Sequence, residues 1–377
     1  MYSCFLPSSL FSGENALAAL PSLLQGAQKV AVFSDRGVER CGALAKALQP
    51  LGNGGVALEV ISDLPSEPTC DEAQRVVDQF RSWGAQAVVG VGGGSVMDVA
   101  KLCSLLSASA CTVRDLVEDA SRVRRTVRSV MIPTTFGTGA EATPNSIVAL
   151  PEKALKVGIV SNQMLPDAVI LDPEMVRGLP PSIAAATGLD ALCHALECFT
   201  SRKATPLSDL FALEALKLIF ARLESACLDA DALESKSAMQ LAAFYGGAAI
   251  AASGTTAVHA LSYPLGGKYH IPHGVANAML LLPVMRFNLE CCRPDLERVY
   301  DAVEHSAADD KAAWVLERMA QMVKALGVPT SLKPFGVSQE DLDGLTAAGM
   351  EVTRLLSNNK RVLTYADARR IYQGLLD

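Results

Sequence analysis

The chain has 377 residues, half of them apolar and 19% charged, with 33 Lys and Arg against 40 Asp and Glu and a net charge of −7. That length fits two domains of roughly 100–200 residues each. The apolar fraction excludes a disordered chain, a collagen repeat and a small disulfide scaffold, and the acidic balance argues against nucleic acid as a partner.

Mean hydropathy is +0.25, which raises the question of a membrane. Segment 241–267 carries no Asp, Glu, Lys or Arg, yet it holds five glycines, two serines, two threonines, a histidine and a proline. A spanning helix wants about 20 predominantly apolar residues, so 241–267 reads instead as a packed helix beside a site. The start, MYSCFLPSSLFSGEN, lacks a basic region, and no secretory signal is expected. Ten cysteines with no CxxC pair read as free thiols in a reducing compartment. The expectation is a soluble, cytoplasmic protein without membrane or nucleic-acid partners.

In chain order, apolar runs at 30–34, 57–61, 87–91, 129–134 and 168–171 predict strands, and 72–83 and 96–106 have helical spacing between them. Strand–helix alternation implies a mostly parallel sheet covered by helices. After Leu179-Pro180-Pro181 the strand signals stop. Leu216, Ile219, Phe220 and Leu223, then Met319, Met322, Val323 and Leu326, follow helical spacing, the latter closed by Gly327 and Pro329. The reading is an α/β domain over 1–178 and an all-helical domain over 179–377, with a ligand cleft at the junction.

The first strand of chemical interest runs into Gly92-Gly93-Gly94-Ser95-Val96. Glycines let a backbone approach a phosphate closely, and the first amides of the following helix point at the anion. Ser95 with Asp98 looks like a helix cap pair, with the helix beginning near Val96. A second loop, Thr134, Thr135, Gly137 and Thr138, also follows a strand, where open sheets place ligands. Asp35 closes the 30–34 strand and could accept from an adenosine ribose, which favours NAD over NADP.

Histidine is scarce: His194, His259, His270, His273 and His305 are the full set. Asp190 and His194 fall at i and i+4 on one helical face. His259 and His273 flank Tyr263-Pro264-Leu265-Gly266-Gly267, a predicted turn that could bring them to one centre. One carboxylate and three imidazoles (Asp190, His194, His259, His273) suit a divalent ion such as Fe²⁺ or Zn²⁺. Cys193 and Cys198 read as helix packing and His305 as a solvated surface residue.

Taken together, these motifs resemble the iron-activated, group III alcohol dehydrogenases. The similarity runs through Gly92 to Lys101, Pro133-Thr134-Thr135, Gly137-Thr138-Gly139, Gly188-Leu189-Asp190 with His194-Ala195-Leu196-Glu197, His259-Ala260-Leu261, Pro264 to Gly267, Ile271-Pro272-His273-Gly274 and Asn358-Asn359 with Arg361. The resemblance implies an NAD-binding α/β domain, a helical metal-binding and substrate domain, and an active site in the cleft between. It implies Asp190, His194, His259 and His273 as metal ligands, with Fe²⁺ expected and Zn²⁺ or Mn²⁺ as alternatives. It further implies Gly92 to Val96 for the pyrophosphate, Thr134, Thr135 and Thr138 as cofactor contacts, and Asn145 and Lys156 beside the nicotinamide. A homodimer or larger assembly is also implied.

Three departures stand out: Ala140 replaces a frequent serine, Tyr263 stands where several members carry a histidine, and Lys360 replaces a proline. With Tyr263 there, His270, reached through a chain of waters, becomes the candidate proton relay, with Tyr263 as the alternative. The expected activity is hydride transfer between NAD(H) and a small aldehyde or its primary alcohol. Lys268, between two candidate ligands, would suit an anionic C2–C4 aldehyde. An NAD- and metal-dependent lyase or cyclase of the dehydroquinate-synthase type is the alternative, although around His259 and His273 only Lys268 is available for a phosphorylated substrate. A non-catalytic metal-binding protein would leave the glycine loop unexplained.

Overall fold

Near-continuous apolar runs need both faces covered, and the first half of the chain provides such a sheet. The computed structural model describes residues 2–52, 55–153 and 155–376. Two compact units are present: Cys4–Leu179, and Pro180–Asp377 together with Met1–Ser3.

The first unit contains strands β1 (Ser9–Ser12), β2 (Lys29–Phe33), β3 (Ala57–Ile61), β4 (Ala87–Gly92), β5 (Arg128–Pro133), β6 (Asn145–Leu150), β7 (Leu155–Val160) and β8 (Ala168–Leu171). Six form one parallel sheet in the order β1-β8-β5-β4-β2-β3. The two-residue period of a strand sends Ala31, Phe33, Val88 and Met131 into one buried core and Val30, Val32, Val89, Val130 and Ile132 into the other. All five predicted strands are present. The reading missed β1, a four-residue strand at the sheet edge with every second residue exposed, and the antiparallel hairpin β6–β7.

Two helix starts lie earlier than the periodicity placed them. Helix Cys70–Trp83 begins after Thr69, whose side chain and Glu72 form a reciprocal cap. Helix Gly94–Leu106 begins directly after β4 with Gly93 as its cap residue. Ser95 is therefore inside the helix and does not cap it. Its hydroxyl donates to the Ser66 carbonyl, while Asp98 pairs with Lys101 at 3.0 Å.

The second unit is helical, with Pro181–Phe199, Pro206–Leu228, Leu233–Ser253, Ala257–Tyr269, His273–Val303 and Lys311–Ala325 as its longer members. Segment 241–267 spans two helices that meet at 107° rather than one, the break falling at Gly254 with φ 79°. Among the described residues, His273–Val303 is long and apolar enough to cross a membrane by length and composition, and 56% of its qualifying window is buried inside the protein. All ten cysteines are free thiols.

Candidate functional site

Asp190 and His194 stand one turn apart on Pro181–Phe199, a helix buried continuously from Gly188 to Phe199. His259 lies in the first turn of Ala257–Tyr269, and His273 opens His273–Val303. The segment 263–267 is helical with Pro264 inside it, not the predicted turn. The backbone hydrogen bond a proline forfeits is offset by continuous burial from Ala257 to Gly266. Chain reversal falls instead at His270, which holds a left-handed φ of 53°. Gly274 is required by packing: a Cβ there would lie 2.2 Å from the Ala186 carbonyl oxygen. Glycine thus brings the start of the His273 helix against the helix that carries Asp190.

The four side chains converge. Their ligand atoms all lie within 4.8 Å of one another. The Nε2 atoms of His194, His259 and His273 are 3.7, 3.7 and 3.8 Å from Asp190 Oδ1. Tetrahedral ligands with bonds near 2.1 Å would stand about 3.4 Å apart, so the spacing fits a small divalent ion. The donor chemistry fits as well, since one carboxylate with three imidazoles suits iron, zinc or manganese. Asp190, His194 and His259 are buried and His273 is partly exposed.

Two residues complete the cluster that the sequence reading gave no role. Asn277, one turn beyond His273, donates its amide to Asp190 Oδ1 at 2.7 Å and stands 3.1 and 3.2 Å from the Nε2 atoms of His259 and His273. Glu197 is fully buried and meets His259 Nδ1. The spacing Asp190, His194, Glu197 (i, i+4, i+7) places all three on one helical face, which was the available signal. Burial alone would raise the Asp190 carboxyl, but the neighbouring imidazoles and the Asn277 amide outweigh it and hold it below its ordinary range. Glu197 is lowered in the same way, against burial, chiefly by His259. Burial would lower His259, and Glu197 reverses this and raises it. Cys193 and Cys198 are buried with their thiols pushed up by desolvation, so they stay protonated.

In the α/β unit the two predicted loops lie against each other. The Thr134 amide donates to the Gly92 carbonyl at 3.0 Å. A Cβ on Gly94 would come within 2.8 Å of Thr138, and one on Gly92 within 2.6 Å of Val96. Gly93 faces Thr135 with ordinary room, 3.6 Å. Asp35 caps a short helix, accepting from the Gly37 and Val38 amides at 2.7 and 2.9 Å. Asn145 opens β6. Lys156 lies on β7, is 8% exposed and pairs with Glu67 at 2.5 Å, so it is not an exposed strand lysine.

Beneath the loops is a second feature the sequence reading passed over. The Lys101 ammonium is fully buried, pairs with Asp98 at 3.0 Å, donates to the Ala140 carbonyl at 2.9 Å and reaches the carbonyl of Asn145. Asp98 in turn accepts from the Ile147 amide at 2.9 Å. This pair fastens the glycine-loop helix to the second loop and to β6. Nearby Glu141 is buried and its carboxyl is pushed up to about 7.

Other candidates lie outside these clusters. His270 is exposed and is not among the four converging donors. Lys268 is exposed and bound to Asp341 at 2.8 Å. Tyr263 is buried with its ring 6.3 Å from that of His273. Lys360 is ion-paired with Asp295, and exposed His305 is held by the Glu304 carboxylate through its backbone amide at 2.8 Å.

Known proteins match along nearly the whole chain. The family described as iron-containing alcohol dehydrogenase matches residues 7–173, and the C-terminal domain of the Fe-containing alcohol dehydrogenase family matches 184–376. Long-chain-alcohol dehydrogenase 1 of Geobacillus thermodenitrificans is 32% identical, over 93% of this chain and 90% of its own. Sulfoacetaldehyde reductase of Bilophila wadsworthia is 31% identical over 88% of both chains. The crystal structure of an iron-containing alcohol dehydrogenase from Thermotoga maritima superposes with a TM-score of 0.86 at 31% identity, covering 100% of this chain and 99% of that one. These matches do not favour a lyase or cyclase. The chain belongs to the iron-containing alcohol dehydrogenase family and is an oxidoreductase of the alcohol dehydrogenase and aldehyde reductase kind.

Proposed function

We propose that this protein interconverts a small aldehyde and its primary alcohol, with NAD(H) as the hydride carrier and a divalent ion, Fe²⁺ before Zn²⁺ or Mn²⁺, held by Asp190, His194, His259 and His273. The observation that carries the reading is the convergence of those four donors, three of them buried, within 4.8 Å. When bound, the ion supplies Lewis acidity and the nicotinamide supplies the hydride. Residues 1–178 are assigned to the cofactor and 179–377 to metal and substrate. Amides at Gly92 to Val96 bind the pyrophosphate, where the start of Gly94–Leu106 adds a favourable dipole. Thr134, Thr135, Gly137 and Thr138 contact the cofactor, and Asp35 selects NAD by repelling a 2′-phosphate. Lys156 and Asn145 orient the nicotinamide end, and His270 takes the relay role.

Among the relatives are an alcohol dehydrogenase and a sulfoacetaldehyde reductase, and the second supports an anionic C2–C4 aldehyde as the finer substrate class. Lys268 is the candidate cation for it, in competition with Asp341. Ten free thiols support a reducing, cytoplasmic setting, and the family resemblance supports a homodimer or larger assembly. The test is NADH absorbance with a panel of aldehydes after anaerobic loading with Fe²⁺ or Zn²⁺. Aldehyde-dependent oxidation is expected, and none with any metal would overturn the proposal.

A further inference from the structure

Glu197 is fully buried, is not one of the four converging donors, and has no part in the reaction just described. Its two oxygens are used unequally. Oε1 accepts three hydrogen bonds: from the Thr256 amide at 3.0 Å, the Thr256 hydroxyl at 2.6 Å and the Val258 amide at 2.8 Å. Oε2 meets Nδ1 of His259.

A neutral imidazole has one N–H and one lone pair, and the partner of one nitrogen decides which atom carries which. An ionised carboxylate only accepts, so the His259 proton belongs on Nδ1 and the lone pair on Nε2. Nε2 is the atom 3.7 Å from Asp190 Oδ1. We propose that Glu197 is a positioning residue that fixes His259 as its Nδ1–H tautomer and thereby makes Nε2 a cation donor. This rests on the metal reading above and adds a residue that acts through a ligand.

The three donors on Oε1 make the isosteric variant unusually informative. In Glu197→Gln the amide must keep its oxygen toward Thr256 and Val258, because an NH₂ group there would face two backbone N–H donors that cannot accept. The NH₂ group then faces His259 Nδ1 and donates to it. The ring stays in place, but its proton is driven to Nε2 and the lone pair points away from the cluster.

The experiment titrates full-length, chelator-stripped protein with Zn²⁺ against a competing chelator and reads the His259 tautomer by ¹⁵N NMR. Wild type is expected to bind Zn²⁺ with Nδ1 protonated. Glu197→Gln is expected to lose about 100-fold in affinity, the upper end for partners of metal-bound histidines, and to carry its proton on Nε2. Thr256→Val removes the hydroxyl bond to Oε1 and leaves the His259 contact, so its affinity should stay within about threefold of wild type. Uptake by wild type together with undiminished uptake by Glu197→Gln overturns this assignment alone, as does an Nε2–H tautomer in wild type, which needs no variant to fold. A wild-type chain that takes up no divalent ion overturns the metal reading along with it.

Discussion

Lys101→Met keeps much of the side chain's volume and removes its charge from a site with no solvent access. Asp98 then keeps the Ile147 amide at 2.9 Å but loses the ammonium 3.0 Å away. Stranding one partner of a buried ion pair costs about 3–5 kcal/mol. In a domain of this size each kcal/mol moves the melting midpoint by roughly 2–4 °C, so a fall of about 10 °C is expected. Because Lys101 also holds the carbonyls of Ala140 and Asn145, the variant should bind NADH more weakly by quenching of protein fluorescence. The double variant Asp98→Leu/Lys101→Met strands no charge, and replacing both members of such a pair is often close to neutral. It should recover at least half of the lost stability by scanning calorimetry. A single variant within about 1 kcal/mol of wild type, a difference too small for a stranded buried charge, or a double variant no better than the single, would refute the reasoning.

Glu141 has a folded-state carboxyl raised from 4.5 to about 7, so the folded protein keeps a proton that the unfolded chain has lost, and stability falls as pH rises between those values, by roughly 3 kcal/mol in all. Glu141→Gln should flatten that slope in urea titrations at a series of pH values, and an unchanged slope would remove the assignment. Gly274→Ala forces a carbon to within 2.2 Å of the Ala186 carbonyl and should destabilise by about 1–3 kcal/mol or more, with weaker metal binding by chelator competition. Lys268→Ala should raise KM for anionic aldehydes and leave neutral ones alone, and equal effects on both would discard the anionic reading. His270→Ala should lower kcat and shift its pH profile, and unchanged rate and profile would exclude the relay.

How much of this was legible in the sequence varied with how local the cause was. Strands β2, β3, β4, β5 and β8 announced themselves as apolar runs because a parallel sheet buries both faces. Strand β1 depends on its pairing with β8, and β6 alternates in burial while its sequence, two polar residues followed by four apolar ones, carries no matching alternation. The start of Gly94–Leu106 was misplaced because Ser95 looks like a cap, whereas Gly93 takes that position. Pro264 read as a turn because intrinsic propensity says so, and burial overrode it. The four metal-site candidates were readable because histidine is scarce. The roles of Glu197 and Asn277 were not, since Glu197 meets His259 across 62 positions and Asn277 meets Asp190 across 87; the helical spacing of Glu197 from Asp190 marks a shared face but not its distant partner.

The central claim is that four side chains from three helices hold one divalent ion. Its most direct measurement is an anomalous-difference map from crystals grown with Zn²⁺, collected on either side of the zinc edge. The expected result is a single peak within bonding distance of Asp190 Oδ and the Nε2 atoms of His194, His259 and His273. A peak that excludes Asp190 or His259, or no peak in crystals of protein shown to contain zinc in solution, would contradict it.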